Sequence, residues 1–243
     1  MGETVKLAAE EEFEAYLARP EGTPKGAIIV IHEVWGLNDH TKDIAERLTK
    51  QGYLALAPDL LSSSLDIKGI RQLQEDLFDA EKRNSAQPKL RELMAPIQSP
   101  AFAAKTLTSL KECFDYLYAM PDCHETVFVM GYCFGGTYSF SLAIEEPLLK
   151  GAVAYYGLAD QEVAQLADIK CPVQAFYGEK DERLISGLDD LKRRMSEAKV
   201  DFSVKVYPDC GHAFFNDTNE FAYNRQAAED SWRITLEFLA ANS

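Results

Sequence analysis

Short apolar runs alternate along the chain with segments of helical spacing. Continuous apolar runs of about four to eight residues are typical of strands buried on both faces. Such strands are predicted at residues 27–33, 53–60, 126–132, 151–157 and 172–178. Residues 13–17 and 201–208 instead alternate apolar with polar side chains, which predicts strands with one solvated face.

Apolar residues that recur with helical spacing predict the helices. These helices cover residues 38–51, 101–120, 134–146, 187–198 and 220–241. Residues 61–100 are polar and interrupted by three prolines, so we interpret them as a short helical excursion over one end of the sheet. The prolines are Pro88, Pro96 and Pro100. Strands that alternate with helices indicate an α/β fold, with a mainly parallel sheet and helices on both faces, in a single domain over residues 1–243.

Four reactive side chains lie at or just beyond the ends of predicted strands. They are Glu33, Cys133, Asp181 and His212. Parallel strands end at the same edge of a sheet, and the sites of such folds lie beyond their carboxyl ends. We therefore expect these four residues, which are far apart in sequence, to meet in one site.

Cys133 lies between two glycines in the run Gly131-Tyr-Cys-Phe-Gly135. This run fits the G-x-S-x-G nucleophile elbow of α/β-hydrolases, with cysteine in place of serine. A strand that turns sharply into a helix strains and exposes the residue at the corner, and it needs small neighbours. The chain order of Cys133, Asp181 and His212 is also the order of nucleophile, acid and histidine in these hydrolases.

Five motifs extend this likeness to one family. They are HEVWGLN at 32–38, PDLL at 58–61, GYCFGG at 131–136, YYG at 155–157 and GHAFFND at 211–217. Together they resemble the dienelactone hydrolase family over nearly the whole chain. The resemblance implies an α/β-hydrolase fold that cleaves ester or lactone bonds with neither a metal nor an organic cofactor.

The resemblance also assigns roles to residues of this chain. It implies that Cys133 is the nucleophile, His212 its base and Asp181 the carboxylate that orients His212. Glu33 matches a glutamate that helps to activate the thiol. Two backbone N–H groups match the oxyanion hole, those of Val34 and Phe134.

The chemistry of these side chains agrees with the assigned roles. Only a small fraction of a free cysteine, whose pKa is about 8.5, is thiolate at neutral pH, so a base must take its proton. A histidine oriented by an aspartate can do so. The charge of Glu33 disfavours a nearby thiolate, but its carboxylate can also accept the thiol proton. We expect Cys133 to rest largely as a thiol, to lose its proton when substrate displaces Glu33, and to form a thioester that water hydrolyses.

The substrate is less clearly indicated than the chemistry. Three aromatic residues near strand ends are candidates for lining a pocket, Trp35, Tyr156 and Phe214. The namesake enzymes of the family bind their substrate's carboxylate with arginines, one of them four residues after the catalytic histidine. This chain has Asn216 at that position. We expect a small-molecule ester or lactone as substrate, and whether dienelactone itself is cleaved stays open.

Composition excludes several other classes of protein. A formal net charge of −14 disfavours binding to nucleic acid and to anionic membranes. No apolar run approaches the ~18 residues of a membrane span. The acidic N-terminal segment lacks the pattern of a secretory signal, and five scattered cysteines suggest no disulfide framework. We therefore expect a cytoplasmic protein, with a monomer or a weak dimer both compatible with the sequence.

The other cysteines have simpler interpretations. Three of them are predicted to pack in the interior, Cys113, Cys171 and Cys210. Cys123 and His124 cannot share a metal ion with Cys133, because the strand between them separates its ends by more than ~15 Å. No metal site is predicted.

Three alternative functions stay open. The same scaffold could carry a thioesterase or a peptide-bond hydrolase. The chain could also be a binding protein that keeps the fold without catalysis, although it retains all four site residues. A thiol redox sensor would need a resolving cysteine near Cys133, and none is close in sequence.

Overall fold

The computed structural model describes residues 2–78 and 81–243. The strands are β1 (Glu3–Ala8), β2 (Glu12–Ala18), β3 (Ala27–Ile31), β4 (Leu54–Pro58), β5 (Val127–Tyr132), β6 (Gly151–Tyr155), β7 (Val173–Gly178) and β8 (Phe202–Tyr207). The helices are α1 (Asp39–Thr49), α2 (Ile67–Phe78), α3 (Arg83–Leu93), α4 (Pro100–Tyr118), α5 (Phe134–Glu145), α6 (Val163–Leu166), α7 (Glu182–Ile185), α8 (Leu188–Glu197) and α9 (Arg225–Ala241). Two 3₁₀ turns lie at Ala95–Gln98 and Pro121–Cys123.

The eight strands form one sheet in the order β1-β2-β4-β3-β5-β6-β7-β8. β2 runs antiparallel to both of its neighbours, and the strands from β3 to β8 pair in parallel. The strands β3 to β7 are wholly buried, which explains why their apolar runs are continuous. The predicted α/β-hydrolase fold with a mainly parallel sheet is thus confirmed.

Two elements at the ends of the chain differ from the prediction. The apolar pattern does not reveal β1, because this edge strand buries only Leu7. The last helix begins at Arg225 and not at residue 220, so the predicted start is wrong. Its start is fixed by Asn224, whose side chain accepts a hydrogen bond from the Ala227 N–H at 3.1 Å.

The excursion between β4 and α4 is helical, as expected, but one of its prolines does not break it. Pro88 lies inside α3, where the helix continues although proline has no N–H to donate. Pro100 instead begins α4, and the Ser99 side chain caps that helix by accepting from the Phe102 N–H at 3.2 Å. Residues 79–80 of the excursion lie outside the described residues.

The helix α5 packs closely against the sheet, and two glycines make this approach possible. A Cβ atom on Gly131 would lie 2.0 Å from the Gly135 carbonyl oxygen, and one on Gly135 would lie 2.2 Å from that of Ile31. Neither position has room for any side chain. The glycine spacing seen in the sequence is therefore a packing requirement of the turn from β5 into α5.

No helix within the described ranges combines the length and the apolar character that a membrane crossing requires.

Candidate active site

Cys133 occupies the corner between β5 and α5 in a strained backbone conformation. Its φ and ψ angles are 54° and −111°, a region that non-glycine residues rarely adopt. The corner is fixed from both sides, because the Cys133 N–H donates to the Tyr155 carbonyl at 3.0 Å and its carbonyl accepts from the Thr137 N–H at 3.1 Å. Strain of this kind is expected at the corner of a nucleophile elbow.

His212 and Asp181 form a hydrogen-bonded pair at the ends of the neighbouring strands. The His212 Nδ1 atom lies 2.5 Å from Asp181 Oδ2, and the Asp181 side chain is almost completely buried. Asp181 lies three residues beyond Gly178, which is paired with Tyr207 of β8. The parallel sheet therefore delivers both residues to one edge, as the sequence predicts.

The electrostatics of His212 link it to Cys133. Burial works against the charged imidazolium, but the negative charge of an ionised Cys133, together with the hydrogen bonds to Asp181 and Cys133, outweighs burial and raises the pKa of His212. The imidazolium is therefore favoured for as long as the sulfur carries a negative charge.

Glu33 lies just beyond β3 and is buried, with 5% of its surface exposed. Its Oε1 atom accepts from the Tyr156 hydroxyl at 3.1 Å, and its Oε2 atom accepts from Asn216 Nδ2 at 2.6 Å. Burial and the neighbouring Glu33 charge raise the pKa of Tyr156 well above its usual range, which keeps its hydroxyl protonated as a donor. Both oxygens of Glu33 are thus engaged before any substrate binds.

The two expected oxyanion-hole residues follow adjacent strands, Val34 in the loop after β3 and Phe134 at the start of α5. Ile31 of β3 pairs with Gly131 of β5, and Val34 and Phe134 each follow three residues later. Within the described part of the chain, neither the Val34 N–H nor the Phe134 N–H donates a hydrogen bond to a protein group. Both N–H groups are therefore available for a ligand oxygen.

His32 contacts residues on both sides of the expected oxyanion hole, Glu33 and Phe134. Its Nδ1 atom is 2.6 Å from the Glu33 carbonyl oxygen, and its Nε2 atom accepts from the Leu60 N–H at 3.2 Å. Burial lowers the pKa of His32, so the ring is neutral and Nδ1 is the donor. The ring also stacks on Phe134, with centroids 5.7 Å apart and planes inclined by 9°. His32 thereby links the loop that carries Glu33 to the start of α5.

The three pocket candidates differ in their surroundings. Tyr156 lies between Glu33 and His212, with its ring centroid 5.0 Å from the histidine ring. Trp35 is partly exposed on the loop after β3. Phe214 is fully buried and packs against Tyr156, so it lies behind the site. Contact of these residues with a substrate stays a prediction.

Sequence reasoning missed the part that Asn216 and Thr218 play at Glu33. Asn216 is 1% exposed, and its Oδ1 atom accepts from the Thr218 N–H at 3.0 Å and from the Thr218 hydroxyl at 2.7 Å. A polar asparagine inside the apolar run after His212 is the only signal that could have suggested a buried partner. The partner itself could not be identified from the sequence.

The five cysteines are all free, and Cys133 differs from the others in being partly exposed. The predicted interior packing of Cys113, Cys171 and Cys210 is confirmed, since each is buried. Burial raises the pKa of Cys171 to about 11, which keeps that thiol protonated. Across the described residues, no cluster of histidine, cysteine and acidic side chains is arranged to hold a metal ion.

Comparison with known proteins supports the same fold and identifies the family. The sequence model of the dienelactone hydrolase family matches residues 13–243. The chain belongs to the dienelactone hydrolase family. Membership confirms the resemblance inferred from the motifs, together with the expectation of a hydrolase that acts on carboxylic esters or lactones.

Individual members of this family match over most of their length. A Saccharolobus solfataricus protein named "Putative carboxymethylenebutenolidase" is 35% identical, over 94% of this chain and 93% of that protein. "Protein usf" of Aquifex pyrophilus is 31% identical, over 98% and 97% respectively. A crystal structure described as "Putative Dienelactone Hydrolase" from Klebsiella pneumoniae superposes with a TM-score of 0.83 at 26% identity, and it covers 99% of this chain and 98% of that one.

The backbone strain at Cys133 predicts an unusual order of stability among variants. Because glycine adopts a positive φ without steric cost, Cys133→Gly should be more stable than Cys133→Ala by about 1 kcal/mol or more. At an ordinary helical position the order is reversed, so Ser141→Ala within α5 should be more stable than Ser141→Gly by about 1 kcal/mol. Urea unfolding of the four variants measures both differences. A Cys133→Ala variant as stable as Cys133→Gly would contradict strain at the corner.

Proposed function

We propose that this protein is a cysteine-dependent hydrolase that cleaves ester or lactone bonds of small molecules through a thioester. The observation that carries the proposal is the position of Cys133, at a strained corner and beside the hydrogen-bonded His212–Asp181 pair, where a charge on Cys133 raises the pKa of His212. The names of the relatives from the dienelactone hydrolase family support the choice of ester and lactone bonds.

In the first half of the reaction, the Cys133 sulfur attacks the carbonyl carbon of the substrate. The carbonyl electrons move onto oxygen, and the N–H groups of Val34 and Phe134 stabilise this oxyanion. The intermediate collapses by breaking the bond to the alkoxide, which takes a proton from the His212 imidazolium. The products of this half are an alcohol and a thioester on Cys133; with a lactone, the hydroxyl stays on the acyl chain.

In the second half, the change of charge on sulfur prepares His212 for its other role. The thioester sulfur is neutral, so the charge of Cys133, the largest of the effects that raise the pKa of His212, is lost once the acyl group is attached, while the effect of Asp181 remains. The imidazole can then accept a proton from water as the water attacks the thioester carbonyl. Collapse of that intermediate expels the Cys133 thiolate and releases the acid, while Asp181 holds Nδ1 throughout.

Glu33 is proposed to take part when the substrate enters. Its carboxylate can accept the proton of any Cys133 molecule that is still a thiol, provided that it leaves Tyr156 and Asn216. Both of these donors are neutral, so their release leaves no separated ion pair behind. The Glu33 carboxylate can therefore move away from Tyr156 and Asn216 without separating opposite charges.

Trapping of the acyl-enzyme tests the proposal. Wild-type protein mixed with p-nitrophenyl acetate and with a panel of lactones should gain one acyl group on Cys133, seen by intact mass after an acid quench. Cys133→Ala should gain none, and its turnover should fall by at least about 10³-fold. Cys210→Ala is the matched control, because it removes a buried thiol and should leave acylation unchanged. Absence of both turnover and acylation across the panel would contradict the proposed hydrolase activity.

The role of Glu33 has its own test in the reactivity of the thiol. Glu33→Gln keeps the shape of the side chain but cannot accept the thiol proton, so alkylation of Cys133 by iodoacetamide should slow several-fold. Glu182→Gln, an exposed change at the start of α7, is the control and should have no effect. An unchanged alkylation rate in Glu33→Gln would exclude proton acceptance by Glu33.

A further inference from the structure

The Glu33 carboxylate is buried, and two neutral groups hold it. Asn216 and Tyr156 donate to its two oxygens, and neither brings a positive charge. Among residues 2–78 and 81–243, Glu33 takes part in no ion pair with lysine, arginine or histidine. A charge with so little solvent around it is weakly screened. Any group that enters the site therefore meets the negative field of Glu33.

The orientation of the Asn216 amide follows from its other contacts. A backbone N–H can only donate, so the contact with the Thr218 N–H requires the Asn216 oxygen at that point. The amide nitrogen must then face Glu33 and donate to it. The contact at 2.6 Å is thus a hydrogen bond to an accepting carboxylate oxygen, and an exchange of the amide atoms would break both interactions.

The nearby cationic side chains serve other partners. Arg71 of α2 donates to the backbone carbonyls of Trp35 and Leu37 and so braces the loop after β3. Arg47 of α1 pairs with Asp217, the residue next to Asn216. His212 is charged mainly in response to Cys133 and Asp181. Each of these three groups is thus already engaged by a partner within the protein, and none of them pairs with Glu33.

We propose that Asn216 is a specificity-determining residue, and that by holding Glu33 without a cation it makes this hydrolase select esters and lactones whose acyl part is uncharged. The inference rests on the proposed function and names the substrate class of the same site. Two unit charges about 6 Å apart at an effective dielectric constant of about 20 repel enough to change binding on the order of 10²-fold. The discrimination should therefore be large and easy to measure.

Two p-nitrophenyl esters of equal chain length test the selection. p-Nitrophenyl butyrate has a neutral acyl chain, and the mono-p-nitrophenyl ester of succinic acid ends in a carboxylate. Wild type should show a kcat/KM on the order of 10²-fold higher for the butyrate. Equal efficiency, or a preference for the succinate, would overturn the charge selection alone. Failure to cleave either ester would contradict the proposed function itself.

Variants distinguish the effect of the Glu33 charge on substrate selection from the effect of the protein's overall charge. Glu33→Gln should lower the ratio of the two kcat/KM values at least about tenfold, because any common loss of activity cancels in the ratio. Glu237→Gln makes the same change of charge on the exposed face of α9 and should leave the ratio unchanged. Asn216→Arg, if it folds, should favour the succinate. A ratio that is unaltered in Glu33→Gln would overturn the proposal whether or not Asn216→Arg folds.

Discussion

The close contact between α5 and the sheet is the constraint on which the site depends. The contact leaves no space for a side chain at Gly131 or Gly135. Between these glycines the chain turns from β5 into α5 through the single residue Cys133. That turn forces Cys133 to a positive φ at a cost of about 1–3 kcal/mol, which the buried strands around it must offset. The same turn partly exposes the sulfur and, among the residues that the structure describes, leaves the Phe134 N–H without a protein partner. The strained backbone, the exposed Cys133 sulfur and the available Phe134 N–H therefore have one structural origin.

Around this corner, neighbouring strands supply groups whose charges depend on one another. The hydrogen bond to Asp181 fixes His212, and its protonation follows the charge on the Cys133 sulfur. Under the proposed mechanism, one histidine can therefore act as acid in the first half and as base in the second. Glu33 is held by the neutral donors Tyr156 and Asn216, and under the proposed selection its charge disfavours substrates with an anionic acyl part.

Much of this arrangement could be predicted from the sequence, for physical reasons. Strands buried on both faces must be apolar throughout, and a parallel sheet must bring its carboxyl ends together, which places Cys133 near His212. The contact between Glu33 and Asn216 could not be predicted, because the two residues are 183 positions apart in the sequence and their contact depends on the conformations of both side chains. The start of α9 at Arg225 likewise depends on one capping residue, Asn224, and the spacing of apolar residues does not reveal such a cap.

Under the proposed mechanism, Cys133 alone among the five cysteines carries the reaction. This can be measured by adding iodoacetamide in steps of less than one equivalent until Cys133 is fully labelled, with peptide mapping and an esterase assay on each sample. Label should accumulate on Cys133 before any other cysteine, and activity should fall in proportion to the labelled fraction. Activity that survives complete labelling of Cys133 would contradict it.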